Sequence, residues 1–225
     1  MKKIYTSCIA CLCFTQMNAQ FKTSQKLLGP SFGIGYSKDE VKGSNGNTIN
    51  KSDFIGVTIG FSSIKMKSNN KGFGVGLNYD FNKYESISSS SSTDRIHTLR
   101  LSIFNRKLIP IKGKWNFYYD YGVLGSMSFS KRNNIFPTVS ETEKGNIYRV
   151  ALFLNPGIIY QVKNNLLLDA TFNNFLTGNI SYEKFKREDS NGLKQIQKRT
   201  YFSAISTLST SDLLRGMTIS IRWII

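Results

Sequence analysis

The sequence predicts an all-β protein, an eight-stranded antiparallel up-and-down transmembrane β-barrel. Three observations carry the prediction. Eight segments alternate large apolar residues with small or polar ones at period two. The connections between them are alternately short and long. The chain opens on a segment with the layout of an export leader.

The leader comes first. Met1-Lys2-Lys3 is basic, Ile4 to Phe14 is apolar, and Thr15-Gln16-Met17-Asn18-Ala19-Gln20 supplies a small residue for cleavage. The apolar run is too short for a spanning helix, which needs about 20 residues. Residues 1–19 are therefore read as a signal peptide cleaved near Ala19/Gln20, and 20–225 as the barrel. Cys8, Cys11 and Cys13 all fall in the leader. The mature chain then has no disulfide, no cysteine metal site and no cysteine nucleophile. Cys8-Ile9-Ala10-Cys11 faintly resembles a lipoprotein signal, but leucine is missing from the expected place.

The strands follow in order. The first places Phe32, Ile34 and Tyr36 against Ser31, Gly33 and Gly35. The second places Ile55, Val57, Ile59 and Phe61 against Gly56, Thr58 and Gly60. The third runs Phe73 to Asn82 and the fourth Thr98 to Ile103. The fifth runs Trp115 to Val123, the sixth Ala151 to Tyr160, and the seventh Leu166 to Asn173. The eighth runs Gly216 to Ile225. Short connections are expected at Ser63 to Lys71, Lys107 to Gly113 and Val162 to Asn165. Long ones are expected at Ser37 to Asp53, Lys83 to Asp94, Ser130 to Asn146 and Ser181 to Leu213. Short turns at the end that holds both termini, with long loops opposite, describe an outer-membrane barrel. A hairpin hidden in the fourth long loop would raise the count to ten strands.

The face opposite the large residues is rich in Gly, Ser, Thr and Asn and has almost no Lys or Glu. A soluble barrel would carry long solvated side chains there. Small residues suit a crowded lumen instead. The aromatic set, with Tyr36, Tyr79, Phe81, Trp115, Phe117, Tyr160 and Trp223 near strand ends, belongs against lipid. In Leu154-Asn155-Pro156-Gly157-Ile158-Ile159-Tyr160 and Asn164-Asn165-Leu166-Leu167-Leu168-Asp169 the chain resembles the small bacterial outer-membrane β-barrel domain family, which is OmpX-like. That resemblance implies an envelope protein inserted by the barrel-assembly machinery. Members often end on an aromatic residue, whereas this chain ends Arg222-Trp223-Ile224-Ile225.

Charge gives two further expectations. The net charge is +16, and removal of Lys2 and Lys3 with the leader leaves +14. Export argues against nucleic acid as the partner. Ten cations and no acid fall at the inner strand ends: Lys22, Lys26, Lys65, Lys67, Lys71, Arg106, Lys107, Lys112, Lys114 and Lys163. They predict a basic periplasmic rim beside outer-membrane lipid phosphates. The outer loops are nearly neutral. Inside, turns centred on Ser90 and Pro110 would set Asp80, Arg100 and Asp120 side by side, with Asp169 and Arg222 as a second pair. Arg100→Ala would then leave two carboxylates unpaired and lower stability sharply.

No catalytic, cofactor or metal site is expected. His97 is the single histidine, and Leu99 occupies the position where a paired nucleophile would sit. One His and no Cys do not make a zinc site. The expected role is non-enzymatic: envelope structure or surface contact, with residues 181–213 as the surface for an extracellular ligand. The alternatives are a narrow channel or transporter, and a lipid-modifying enzyme using His97.

Overall fold

A computed structural model describes residues 21–42, 48–88, 90–136, 139–206 and 217–225. The expected leader and its cleavage site lie outside them. Ten strands are present: β1 (Lys26–Lys42), β2 (Thr48–Ser68), β3 (Lys71–Ile87), β4 (Ser91–Lys112), β5 (Trp115–Ile135), β6 (Ser140–Lys163), β7 (Leu166–Phe172), β8 (Leu176–Asp189), β9 (Lys194–Ser206) and β10 (Met217–Ile224). Each neighbouring pair is antiparallel. Hydrogen bonds close β1-β2-β3-β4-β5-β6-β7-β10 into a ring of eight, sealed where Leu27–Phe32 meets Ile224–Ile219.

The other two strands do not widen that ring. β8 runs on along β6 beyond the end of β7, and β9 pairs with β8. The jog between β7 and β8 uses a positive φ at Asn174. It lies opposite Asn155-Pro156, where proline has no N–H to give the ladder. The fourth long connection does hold a hairpin, but the hairpin stands on top of the eight-strand ring and leaves the lumen narrow.

The loops are shorter than the sequence suggests. Much of 37–53, 83–94, 130–146 and 181–213 is strand. β4, β5 and β6 are 22, 21 and 24 residues long, whereas a tilted strand crosses a bilayer in about 9–11. The surplus projects beyond the membrane as sheet. Turn residues such as Ser and Asn favour loops there, but cross-strand pairing overrides that propensity. At the inner end the turns are two-residue: Asn69-Asn70, Gly113-Lys114 and Asn164-Asn165. The middle one turns on Gly113, at φ +59°, a conformation glycine adopts without a Cβ penalty. Pro110 lies inside β4, next to an irregularity in the ladder.

The pleat sorts the faces as period two demands. Phe73, Val75, Leu77 and Tyr79 point out while Gly72, Gly74, Gly76 and Asp80 point in. The outward face is a continuous apolar belt through Phe32, Ile34, Ile59, Leu101, Val123, Leu152 and Ile221. Trp115 and Tyr160 meet in a tilted contact at its inner edge, centroids 4.6 Å apart, and Tyr148 and Tyr182 stack at its outer edge, 6.4 Å apart. The lumen is less uniformly polar than expected. Its inner end is plugged by Phe21, Leu27, Ile64, Met66, Phe104, Leu108, Ile159 and Leu167, all buried.

Candidate functional site

The lumen just outside the apolar plug holds the densest polar cluster. Its geometry starts at the Gly113 turn. That turn brings Arg106 of β4 opposite Asp120 of β5. The guanidinium grips Asp120 with two bonds, Nε to Oδ1 and Nη2 to Oδ2, each 2.7 Å. Its third nitrogen, Nη1, donates to Asp169 Oδ2 of β7 at 2.8 Å. Arg222 of β10 reaches the same carboxylate through Nε at 2.5 Å, and its Nη1 donates to Ser62 Oγ at 2.5 Å. Tyr118 O–H donates to the other oxygen of Asp169, and its ring lies 3.7 Å under the Arg106 guanidinium.

Two arginines thus face two aspartates, with planar forks matched to carboxylates. Arg106 is 1 % exposed and Asp169 0 %. So deep a charge survives only when paired and hydrogen-bonded. Space for the cluster comes from missing side chains: a Cβ at Gly157 would collide with the Tyr118 ring and the Ala170 carbonyl oxygen, and one at Gly74 with the Phe104 ring.

Further out, Arg100 pairs with Asp80, which also accepts a hydrogen bond from Thr58 Oγ1 at 2.6 Å. Asp80 lies directly across from Thr98, so its bond to Arg100 is a diagonal one. The β3–β4 register differs by two residues from one symmetric about Ser90, which keeps both residues on the inner face. Beyond this pair the projecting sheet carries Asp94–Arg132 (2.8 Å) and Arg187–Glu141 on its inner face.

The expected row of Asp80, Arg100 and Asp120 is therefore corrected. Arg100 faces Ser126, six residues from Asp120 along β5, about 20 Å at strand rise. A turn three residues later than Pro110 shifts the register by six. Asp169 and Arg222 do meet. Arg106 belongs not to the periplasmic rim but to the centre of the lumen cluster. The signal for it in the sequence is parity: 100, 102, 104 and 106 share a face, but the apolar alternation that marks the fourth strand stops at Ile103.

Lys65, Lys67, Lys71, Lys107, Lys114 and Lys163 are exposed at the inner strand ends. Lys67 and Lys107 lie over the Phe73 and Tyr119 rings at 5.1 and 5.9 Å. The Lys112 side chain lies outside the described residues. His97 is on the lipid-facing side, with Nδ1 2.6 Å from Tyr79 Oη and its ring 5.0 Å from Phe81. Among the described residues no three His, Cys, Asp or Glu side chains gather as metal ligands.

A closed eight-strand ring with an apolar outer belt and a plugged, ion-paired lumen is an integral membrane barrel of the outer-membrane type. No family model and no curated relative matches the chain. Solved structures do. The outer membrane protein OprG from Pseudomonas aeruginosa superposes with a TM-score of 0.51 at 10 % identity, over 92 % of this chain and 98 % of that one. A major outer membrane protein from Thermus thermophilus gives 0.47 at 12 %, over 90 % and 100 %. Neisserial surface protein A gives 0.33 at 13 %, over 88 % and 96 %. At 10 % identity the likeness to OprG is one of fold alone.

Proposed function

We propose that this chain is a non-enzymatic outer-membrane barrel with a sealed lumen, serving envelope structure or contact at the cell surface. The observation that carries the reading is the double closure of the inner lumen. An apolar plug lies below, and the Arg106–Asp120–Asp169–Arg222 cluster lies directly above it. Eight strands leave room only for packed side chains, and here that room is filled. The outer half is built as tall sheet with paired charges, which suits contact more than conduction. Outer-membrane lipids surround the belt, and insertion is left to the barrel-assembly machinery.

A non-catalytic role for His97 is supported by its setting. It bonds to Tyr79 among interfacial rings on the lipid side, away from the inner-face carboxylates. Planar-bilayer recording of the refolded chain tests the sealed lumen. Silent membranes are expected. Stepwise, ion-selective conductance from the wild-type protein would replace this reading with that of a narrow channel.

A further inference from the structure

The projecting sheet separates its charges by face. On the inner face, Asp94, Glu141 and Glu143 are engaged with Arg132 and Arg187. On the outer face the register builds a row of cations. Lys83 of β3 lies opposite Arg95 of β4, Arg95 opposite Lys131 of β5, Lys131 opposite Lys144 of β6, and Lys144 opposite Lys186 of β8. Five adjacent strands thus present five cations at directly paired positions, about 19 Å from end to end at ordinary strand spacing. In the row below, Lys184 pairs with Lys198 of β9, a step down that tilted strands produce at a level boundary.

This arrangement works against the fold. Like charges directly opposite one another destabilise a sheet, and here four such pairs run in series. Internal neutralisation is scant. Of the outward acids nearest the row, Glu85 binds Lys83 at 2.6 Å and Glu188 binds Lys194 at 3.5 Å. Arg95, Lys131, Lys144, Lys184, Lys186 and Lys198 have no acidic partner among the described residues.

The row's position identifies what would cover it. The paired row immediately below contains Phe81, His97 and Phe129, and the next contains Tyr79, Leu99, Met127, Tyr148 and Tyr182. Those are the rings of the outer interfacial girdle. The cations therefore begin where acyl chains end, at the depth of lipid headgroups. Anionic headgroups attract basic side chains there.

The geometry points to a binding site for the phosphates of an outer-leaflet glycolipid, formed by Arg95, Lys131, Lys144 and Lys186 across β4, β5, β6 and β8. The inference uses the membrane placement of the barrel but not its sealed lumen, so either can fail alone.

The test uses the full mature chain folded in zwitterionic detergent and titrated with bis-phosphorylated lipid A, with bound lipid read by native mass spectrometry. The wild type is expected to retain lipid A far better than its dephosphorylated form. The combined variant Arg95→Gln, Lys131→Gln, Lys144→Gln and Lys186→Gln should lose about fivefold in retention per removed charge. Without lipid A it should melt above the wild type, because the repulsion is gone; with lipid A that advantage should vanish. Lys65→Gln with Lys71→Gln and Lys107→Gln, at the opposite rim, should retain lipid A normally. Heat-modified gel migration reports folding, and Lys144→Gln alone provides a milder variant. Equal retention by the fourfold variant overturns the site, as does equal binding of dephosphorylated lipid A or an equal loss from the opposite rim. Displacement of lipid A by heparin at matched charge would assign the row to a soluble polyanion instead.

Discussion

The two ends of the barrel use ion pairs in opposite ways. In the inner lumen, Arg106, Asp120, Asp169 and Arg222 are all at most 5 % exposed and share one network. In the projecting sheet, Arg132 and Arg187 are 47 % and 48 % exposed, although the acids they bind, Asp94 and Glu141, are only 11 % and 12 % exposed. The chemical partners are the same, but the surroundings differ. A buried guanidinium that loses its carboxylate cannot turn to water, whereas an exposed one can. The inner cluster therefore determines stability and closure, and the outer pairs mainly organise a surface.

Arg106→Ala should have the largest effect. It strands Asp120 in the lumen and leaves Asp169 to Arg222, Tyr118 and Thr171. Breaking a buried network from one side costs about 3–5 kcal/mol, measurable as an earlier urea unfolding midpoint in lipid vesicles. A loss under about 1 kcal/mol would mean that the inner cluster behaves like the outer pairs, and the contrast would collapse. Conductance should stay closed in this variant, because the apolar plug remains below the cluster.

Gly157→Ala tests the same region from the packing side. Its new Cβ meets the Tyr118 ring on one side and the Ala170 backbone on the other. Overpacking of this kind costs about 2–3 kcal/mol and should displace Tyr118 from Asp169. The Tyr118 hydroxyl also meets Thr171, so a weaker nuclear Overhauser contact between those two side chains in the variant would locate the displacement. Unchanged urea stability would show that the lumen has slack at this level.

These effects explain what is legible in the sequence. The eight-strand ring, the outward aromatic belt, the short inner turns and the Asp169–Arg222 pair all depend on period-two parity. A two- or six-residue register error leaves parity intact. Which inward residues meet depends on the register itself, and that is set by the turn. Pro110 mimics a turn three residues before the real one at Gly113, and that offset places Arg106 in the wrong compartment. The outer cation row is hidden for a related reason. Counted as loops, residues 83–94, 130–146 and 181–213 are nearly neutral. Placed as strands, Asp94 and Arg95, Lys131 and Arg132, and Glu143 and Lys144 fall on opposite faces, and an averaged charge becomes a patterned one. Polar, serine-rich sequence conceals that alternation because no apolar residues mark the faces there.

Arg100→Ala lies between the two regimes. Its guanidinium is 20 % exposed and its partner Asp80 is 8 % exposed. One carboxylate, not two, loses a partner, and Thr58 still donates to it. The expected cost is about 1–2 kcal/mol, with unfolding again as the measurement. A cost equal to that of Arg106→Ala would mean that desolvation extends higher up the lumen than the graded exposure indicates.

Arg132→Ala completes the series at the exposed end. Arg132 donates to Asp94 at 2.8 Å and lies 3.8 Å from Glu143, so distance alone would rank it with Arg106. Exposure reverses that ranking. Water can enter the space that the exposed guanidinium leaves and solvate Glu143 and Asp94, themselves 23 % and 11 % exposed, and in molar salt, where the screening length falls to about 3 Å, mobile ions reach the pair. The loss should stay below about 1 kcal/mol and shrink further in molar salt, while the Arg106→Ala deficit should not move. The salt response is the sharper measurement, because it separates the two ends even where their midpoints overlap. A salt-sensitive Arg106→Ala deficit would mean that water reaches the inner cluster, and the barrel would then have to be treated as open to it.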